Sequence, residues 1–285
     1  MAQIIDGKLV SRAVRENIKE KVDAIPEGVR RPGLAVIIVG EDPASKVYVK
    51  NKKLACEEVG YLSREYALPA ETPEEELLEL IDSLNADREI DGILVQLPLP
   101  KGFDEKKVIQ HISPSKDVDA FSYVNVGRIT VGDADFVPCT PAGVMELLNY
   151  YNIELEGKRA VVVGRSNIVG KPQALLLLEK NATVTVAHSR TRDLASVTRE
   201  ADVLVVAVGR AKFVTGDMVK DGAVVIDVGM NRDENGKLCG DVDFASVEPR
   251  ASYITPVPGG VGPMTITELM KNTYTAYTRH IAEEK

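Results

Sequence analysis

Residues Ala160-Val161-Val162-Val163-Gly164-Arg165-Ser166-Asn167-Ile168-Val169-Gly170-Lys171-Pro172 decide the fold. The apolar run is β-branched and of strand length, it stops at a glycine, and the pattern after Gly170-Lys171-Pro172 is helical. A continuous apolar run of this kind belongs to a strand buried on both faces, as in a parallel sheet. Thr183-Val184-Thr185-Val186 follows, and Asp202–Gly209 and Ala223–Gly229 are further buried strands. Thr140-Pro141 is read as the cap of a helix running to about Tyr151. Strands alternating with helices in this way predict a doubly wound, Rossmann-type domain over residues 140–264, its strands ending near 255.

Working back from this core, the amino-terminal half repeats the alternation. Helical periodicity runs from Lys8 to Ile25, with Leu9, Ala13, Val14, Ile18, Val22 and Ile25 on one stripe. Leu34–Val39 is a buried strand ending before Gly40. Asp42 is a good N-cap and Pro43 a good first helical residue, so a helix is predicted from there to Gly60, which suits the left-handed C′ position. Thr72-Pro73-Glu74-Glu75 reads as a capping box opening a helix to about Asn85. A second strand, Gly92–Val95, ends in Gln96-Leu97-Pro98-Leu99-Pro100. The fold class is therefore α/β in two domains, a catalytic domain over 1–139 and the Rossmann-type domain. The last helix, from about Thr265 to Ala282, follows a Gly/Pro-rich hinge and returns to the first domain, which thereby takes in 265–285.

Composition sets bounds on function. The 285 residues suit two domains, and 44% hydrophobic with 27% charged residues is ordinary for a globular protein. A formal net charge of −8 argues against nucleic acid as a partner. Cys56, Cys139 and Cys239 are odd in number and far apart, and His111, His188 and His280 have no metal-pair spacing. A reducing, cytoplasmic location is expected, with no metal site. No apolar signal segment or membrane-length run is seen, so no membrane partner is expected.

Several residues carry chemistry. Tyr48 and Lys52 lie four apart on the predicted helix, which stacks a phenol and an amine on one face. A lysine whose pKa falls on burial is a proton handler. Gln96 ends a buried strand, where ligands bind in open α/β sheets. Lys116-Asp117-Val118-Asp119-Ala120-Phe121 sets two acids beside an aromatic ring. In the loop after the first Rossmann strand, Gly164, Arg165, Ser166, Ile168 and Gly170 are the candidate dinucleotide contacts, because backbone N–H groups at a helix N-terminus favour phosphate. The loop departs from GxGxxG, since Ser166 replaces the second glycine; a tight turn without ligand is the alternative. The second strand ends in Val186-Ala187-His188-Ser189-Arg190-Thr191, with no acid for a ribose hydroxyl. Arg190 and Arg165 favour NADP over NAD; a solvated loop charge is the other reading of Arg190. Pro256–Thr265 holds three glycines and three prolines in ten residues, a rigid path read as an active-site wall or else a hinge.

At this point the chain resembles the bifunctional methylenetetrahydrofolate dehydrogenase/cyclohydrolase family of the bacterial FolD type, nearly end to end. The motifs are SxxYVxxK at Ser45–Lys52, VQLPLP at Val95–Pro100, KDVD at Lys116–Asp119, PCTPxG at Pro138–Gly143, GRSxIVGxP at Gly164–Pro172 and PGGVGPMT at Pro258–Thr265. The resemblance implies a folate site shared by the two domains, with tetrahydrofolate derivatives as ligands and a homodimer. It identifies Lys52 as the catalytic lysine, Tyr48 as its partner, Gln96 as the nearby glutamine and Asp119 as the folate-binding acid. It also implies cofactor contacts at Arg165, Ser166 and Ser189, and Pro258, Gly259 and Gly260 beside the substrate. Two positions depart from the pattern. Asp117-Val118-Asp119-Ala120-Phe121-Ser122 stands where the family usually shows DVDGFH, and Leu54 where a second lysine is frequent. Two other classes remain open: a dehydrogenase of shikimate type, against which the Tyr48, Lys52 and Gln96 set counts, and a non-catalytic folate-binding protein, which would lack the lysine.

Overall fold

The computed structural model describes residues 1–283, and the chain divides into two compact units. One comprises Met1–Arg12 and Thr140–Thr265; the other comprises Ala13–Cys139 and the chain from Ile266 onward. All three boundaries fall inside helices, Gly7–Asp23, Cys139–Tyr150 and Val261–Glu283.

In the 13–139 unit, Gly33–Val39 is the middle strand of a three-stranded parallel sheet, between Leu62–Leu68 and Gly92–Val95. Every residue of Gly33–Val39 and of Gly92–Val95 is buried, as their unbroken apolar runs predict. Leu62–Leu68 had no such signal. It is an edge strand with polar residues at Ser63, Arg64 and Glu65 and partial exposure throughout. One helix start and one helix face differ from expectation. Pro73, not Thr72, precedes the Glu74–Ala86 helix and makes no side-chain cap, so the capping box does not form. In the Gly7–Asp23 helix Ile18 and Val22 are buried as expected, whereas Leu9 and Ala13 are exposed and Val10 is buried.

The other unit is a six-stranded parallel sheet in the order Gln3–Ile4, Tyr253–Ile254, Val224–Asp227, Val203–Val206, Arg159–Val163, Thr183–Ala187. The chain passes from Arg159–Val163 to one neighbour and then back across to the other. That reversal is the topological switch point of a doubly wound sheet. The first twelve residues, placed with the amino-terminal domain from sequence, group here. Gln3–Ile4 adds the outermost strand, and the N–H of Gly7 donates to the carbonyl of Gly259 at 2.9 Å. A strand of two residues has no periodicity to read. The helix expected from Thr140-Pro141 begins at Cys139, so both residues lie in its first turn.

Candidate active site

The Pro43–Val59 helix forms as its ends dictate. The Asp42 carboxylate accepts the Ser45 N–H at 2.7 Å, Pro43 opens the first turn, and Gly60 closes the helix at φ 79°. Its buried stripe is Val49, Lys52, Ala55, Cys56 and Val59, so a lysine occupies a core position, only 9% exposed. Tyr48, one turn earlier, is 40% exposed. The pair therefore shares a helix side, with the amine inside and the ring at the rim.

Gln96 follows directly on the strand Gly92–Val95, and its N–H continues the sheet pairing by donating to Ile37 O at 2.8 Å. Its side-chain N–H₂ donates to Leu97 O at 2.7 Å, which leaves Oε1 to accept from Lys52 Nζ at 2.8 Å. The amide is thus oriented by one bond and holds the amine with the other.

The acids of Lys116–Asp119 separate in role. Asp117 pairs with Ile93 in a parallel bridge, and its carboxylate accepts from the N–H of Ser122 at 2.7 Å and from Asn125 Nδ2 at 3.0 Å. Lys116 is spent on the carbonyls of Leu84 and Asp87. These two build the turn that presents Asp119. Ala120, at the family's usual glycine, adopts φ 57° and is fully buried. Ser122 at the family's histidine caps the Tyr123–Val131 helix by accepting from the Asn125 N–H.

Asp119 is half-buried and faces a thiol: Cys139 Sγ donates to its Oδ1 at 3.3 Å. Asn272, from the last helix, donates to the carbonyls of Val118 at 2.8 Å and Val137 at 3.0 Å, clamping the strands of chain on both sides of this contact. Neither Cys139 nor Asn272 was singled out from sequence. Asn272 is a buried polar residue among Leu269, Met270, Thr273 and Ala276 on the core face of the last helix, where its amide must be hydrogen-bonded.

Electrostatics couple these groups. Burial lowers the pKa of Lys52, opposed first by the nearby Asp119 carboxylate. Burial likewise raises that of Asp119, opposed first by Lys52. The Cys139 thiol is pushed well above its ordinary value, chiefly by burial and then by Asp119, so it stays protonated and donates. An amine whose burial favours its neutral form, held by a glutamine and next to a desolvated carboxyl, is placed to exchange protons.

In the six-stranded unit, the loop after Arg159–Val163 lies at the carboxyl ends of the strands, at the switch point. Gly164 packs so closely on the Ala207 carbonyl that a Cβ would overlap it, and Gly170 does the same against Gly164. Both glycines draw the Gly170–Glu179 helix tight to the strand end. Ser166 Oγ accepts from the N–H groups of Val169 at 3.1 Å and Gly170 at 3.3 Å, which explains a serine at the second glycine position. Arg165, Ser166 and Ile168 are exposed around this turn, and Ser189 and Arg190 are exposed beyond Thr183–Ala187. The first acid after that strand, Asp193, caps the Leu194–Thr198 helix. A helix N-terminus with two arginines and no acid at the strand tip fits a dinucleotide bearing a 2′-phosphate.

Pro258 is exposed, Gly259 half-buried and Gly260 buried. The close approach inferred for this loop is to the chain's own start: a Cβ on Gly7 would overlap Gly260 O, and the Lys8 stem packs by Gly259.

Comparison with known proteins agrees with this geometry. The catalytic-domain model of tetrahydrofolate dehydrogenase/cyclohydrolase matches residues 5–119, and the family's NAD(P)-binding domain model matches 138–281. The bifunctional protein FolD of Acetivibrio thermocellus is 60% identical over 275 residues, 96% of each chain. The FolD crystal structure from Campylobacter jejuni superposes with a TM-score of 0.96 at 49% identity, covering 98% of this chain and 99% of that one. The Trypanosoma brucei enzyme, complexed with NADP cofactor and inhibitor, gives 0.94 at 41% identity, covering 98% of each. Shikimate 5-dehydrogenase of Thermus thermophilus is 18% identical with a TM-score of 0.54, covering 87% of this chain and 99% of that one, a likeness of fold alone. With both domain models matched and relatives this similar over nearly the whole chain, the chain belongs to the tetrahydrofolate dehydrogenase/cyclohydrolase family, bifunctional enzymes of folate one-carbon metabolism with an NAD(P)-binding domain.

Proposed function

We propose that the unit of residues 13–139 carries the folate chemistry and the unit of residues 140–265 holds NADP⁺. The observation that carries this reading is the convergence of Gln96 and Asp119 on the buried Lys52, whose amine is held at 2.8 Å by an oriented amide. The reaction is oxidation of 5,10-methylenetetrahydrofolate to the methenyl cation, followed by addition of water and ring opening to 10-formyltetrahydrofolate. When bound, the dinucleotide accepts the hydride of the first step. The chain's own part is to orient the one-carbon unit and to move protons. Neutral Lys52 takes a proton from the attacking water and returns it during ring opening, and Gln96 keeps the amine in place. Asp119 accepts from pterin N–H groups, and Tyr48 forms the rim of the pocket. Gly164, Arg165, Ser166, Ile168, Gly170, Ser189 and Arg190 hold the cofactor, and Pro258, Gly259 and Gly260 line its substrate side.

The test is purified protein with methylenetetrahydrofolate and either NADP⁺ or NAD⁺, following reduced nicotinamide and methenyl product separately. Nicotinamide reduction without subsequent methenyl hydrolysis would remove Lys52 from its role. Three unpaired cysteines support a reducing cytoplasm, and the family resemblance supports a homodimer, which light scattering would weigh.

A further inference from the structure

The Val203–Val206 strand forms the other side of the switch point, since Gly164 packs against the carbonyl of Ala207 just beyond it. The segment that follows, Val208-Gly209-Arg210, leaves the sheet and is held by one side chain. Asp241 Oδ2 accepts from the N–H groups of Val208 at 2.6 Å and Gly209 at 3.0 Å, and Oδ1 accepts from Arg210 N–H at 2.7 Å and Asn231 Nδ2 at 2.8 Å. Asp241 has no exposed surface. Four N–H donors take the place of the water it has lost.

A second buried carboxylate supports the first. Asp227, the last residue of Val224–Asp227, accepts the backbone N–H groups of Asp241, Val242 and Gly229, each at 2.9 Å. Its own N–H is held by Thr255 Oγ1 at 2.7 Å. The loops after two adjacent strands are thereby tied together at the carboxyl edge of the sheet, where a doubly wound domain binds its ligand. Placing a carboxylate out of water is unfavourable unless it is fully hydrogen-bonded. Here the compensating donors lie on loops at the ligand edge, and the sheet itself would pair without them.

We propose that Asp241 is a positioning residue for the dehydrogenase step: by gripping Val208–Arg210 it shapes the wall of the dinucleotide site opposite the glycine loop. The proposal rests on the reading that this unit binds NADP⁺. It also separates the two activities, because hydrolysis of the methenyl compound consumes no dinucleotide.

The experiment uses the full-length protein and Asp241→Asn, an isostere that turns one acceptor oxygen into a donor facing N–H groups. Oxidation of methylenetetrahydrofolate is measured against NADP⁺ concentration, and hydrolysis of added methenyltetrahydrofolate is measured without cofactor. The expected result is a rise of at least about tenfold in the KM for NADP⁺, with hydrolysis within about twofold of the parent. An unchanged KM overturns the proposal. If Asp241→Asn loses both activities together, Asn231→Ala decides, since it removes one donor and leaves the carboxylate. A rise of about threefold in the KM for NADP⁺ with normal hydrolysis supports the assignment, and an unchanged KM rejects it. A parent enzyme unable to use NADP⁺ would instead overturn the dinucleotide reading itself.

Discussion

Cys139 and Asp119 meet as donor and acceptor, Sγ to Oδ1 at 3.3 Å, within the same buried cluster as Lys52. A thiol kept protonated by its burial neutralises part of the acid's demand for hydrogen bonds and adds no charge beside the lysine.

Cys139→Ser keeps a donor at this position and Cys139→Ala removes it. The alanine variant is expected to bind folate about fivefold more weakly, the value of one hydrogen bond of about 1 kcal/mol, while the serine variant stays near the parent. Asp119→Ala, which removes the carboxylate itself, should weaken binding about ten- to a hundredfold. Titration calorimetry with a tetrahydrofolate ligand checks the order; equal affinity for all four proteins would make Asp119 a bystander.

Lys52→Met should lower methenyl hydrolysis by about 10²- to 10⁴-fold, the usual worth of general acid–base assistance. The same change should stabilise the fold. A lysine whose folded pKa lies below its ordinary value contributes stability only at pH above the unfolded pKa, and that contribution is lost as pH falls. At pH 7 the parent therefore holds a disfavoured group that methionine lacks. An increase in Tm is expected at pH 7 and should shrink toward pH 10. A lower Tm for the variant at pH 7 would contradict the assignment of burial as the dominant influence on Lys52.

Arg165 flanks the glycine turn and is exposed there. A preference for NADP⁺ over NAD⁺ of at least about tenfold in kcat/KM is expected, and Arg165→Ala should erode it through NADP⁺ alone. Comparable loss with both cofactors would assign Arg165 to the shared pyrophosphate rather than the 2′-phosphate.

Ala120 sits at φ 57°, a left-handed conformation that an alanine adopts at a cost of roughly 1 kcal/mol. Ala120→Gly relieves this strain but frees the unfolded chain, so a net gain of about 0.5 kcal/mol is expected in denaturant unfolding. A destabilised glycine variant would show that the Ala120 methyl, buried in the core, contributes more by packing than the backbone loses.

By itself the sequence determined the elements with strong local reasons. Ala160–Val163, Val203–Val206 and Val224–Ile226 are apolar throughout because both faces of a parallel sheet are covered. The Pro43–Val59 helix carries both its end signals in Asp42 and Gly60. The motifs pointed to Lys52, Gln96 and Asp119 before any contact was visible. Only the tertiary structure decided what surrounds them. Cys139 lies 20 residues from Asp119 along the chain and Asn272 lies 154 from Val118, separations at which no local pattern operates. The edge strand Leu62–Leu68 and the two-residue strand Gln3–Ile4 exist because a neighbouring strand offers hydrogen bonds, not because their own side chains demand it. The same holds for Asp241, an unremarkable acid in sequence that becomes a loop anchor only once folding brings four N–H groups around it.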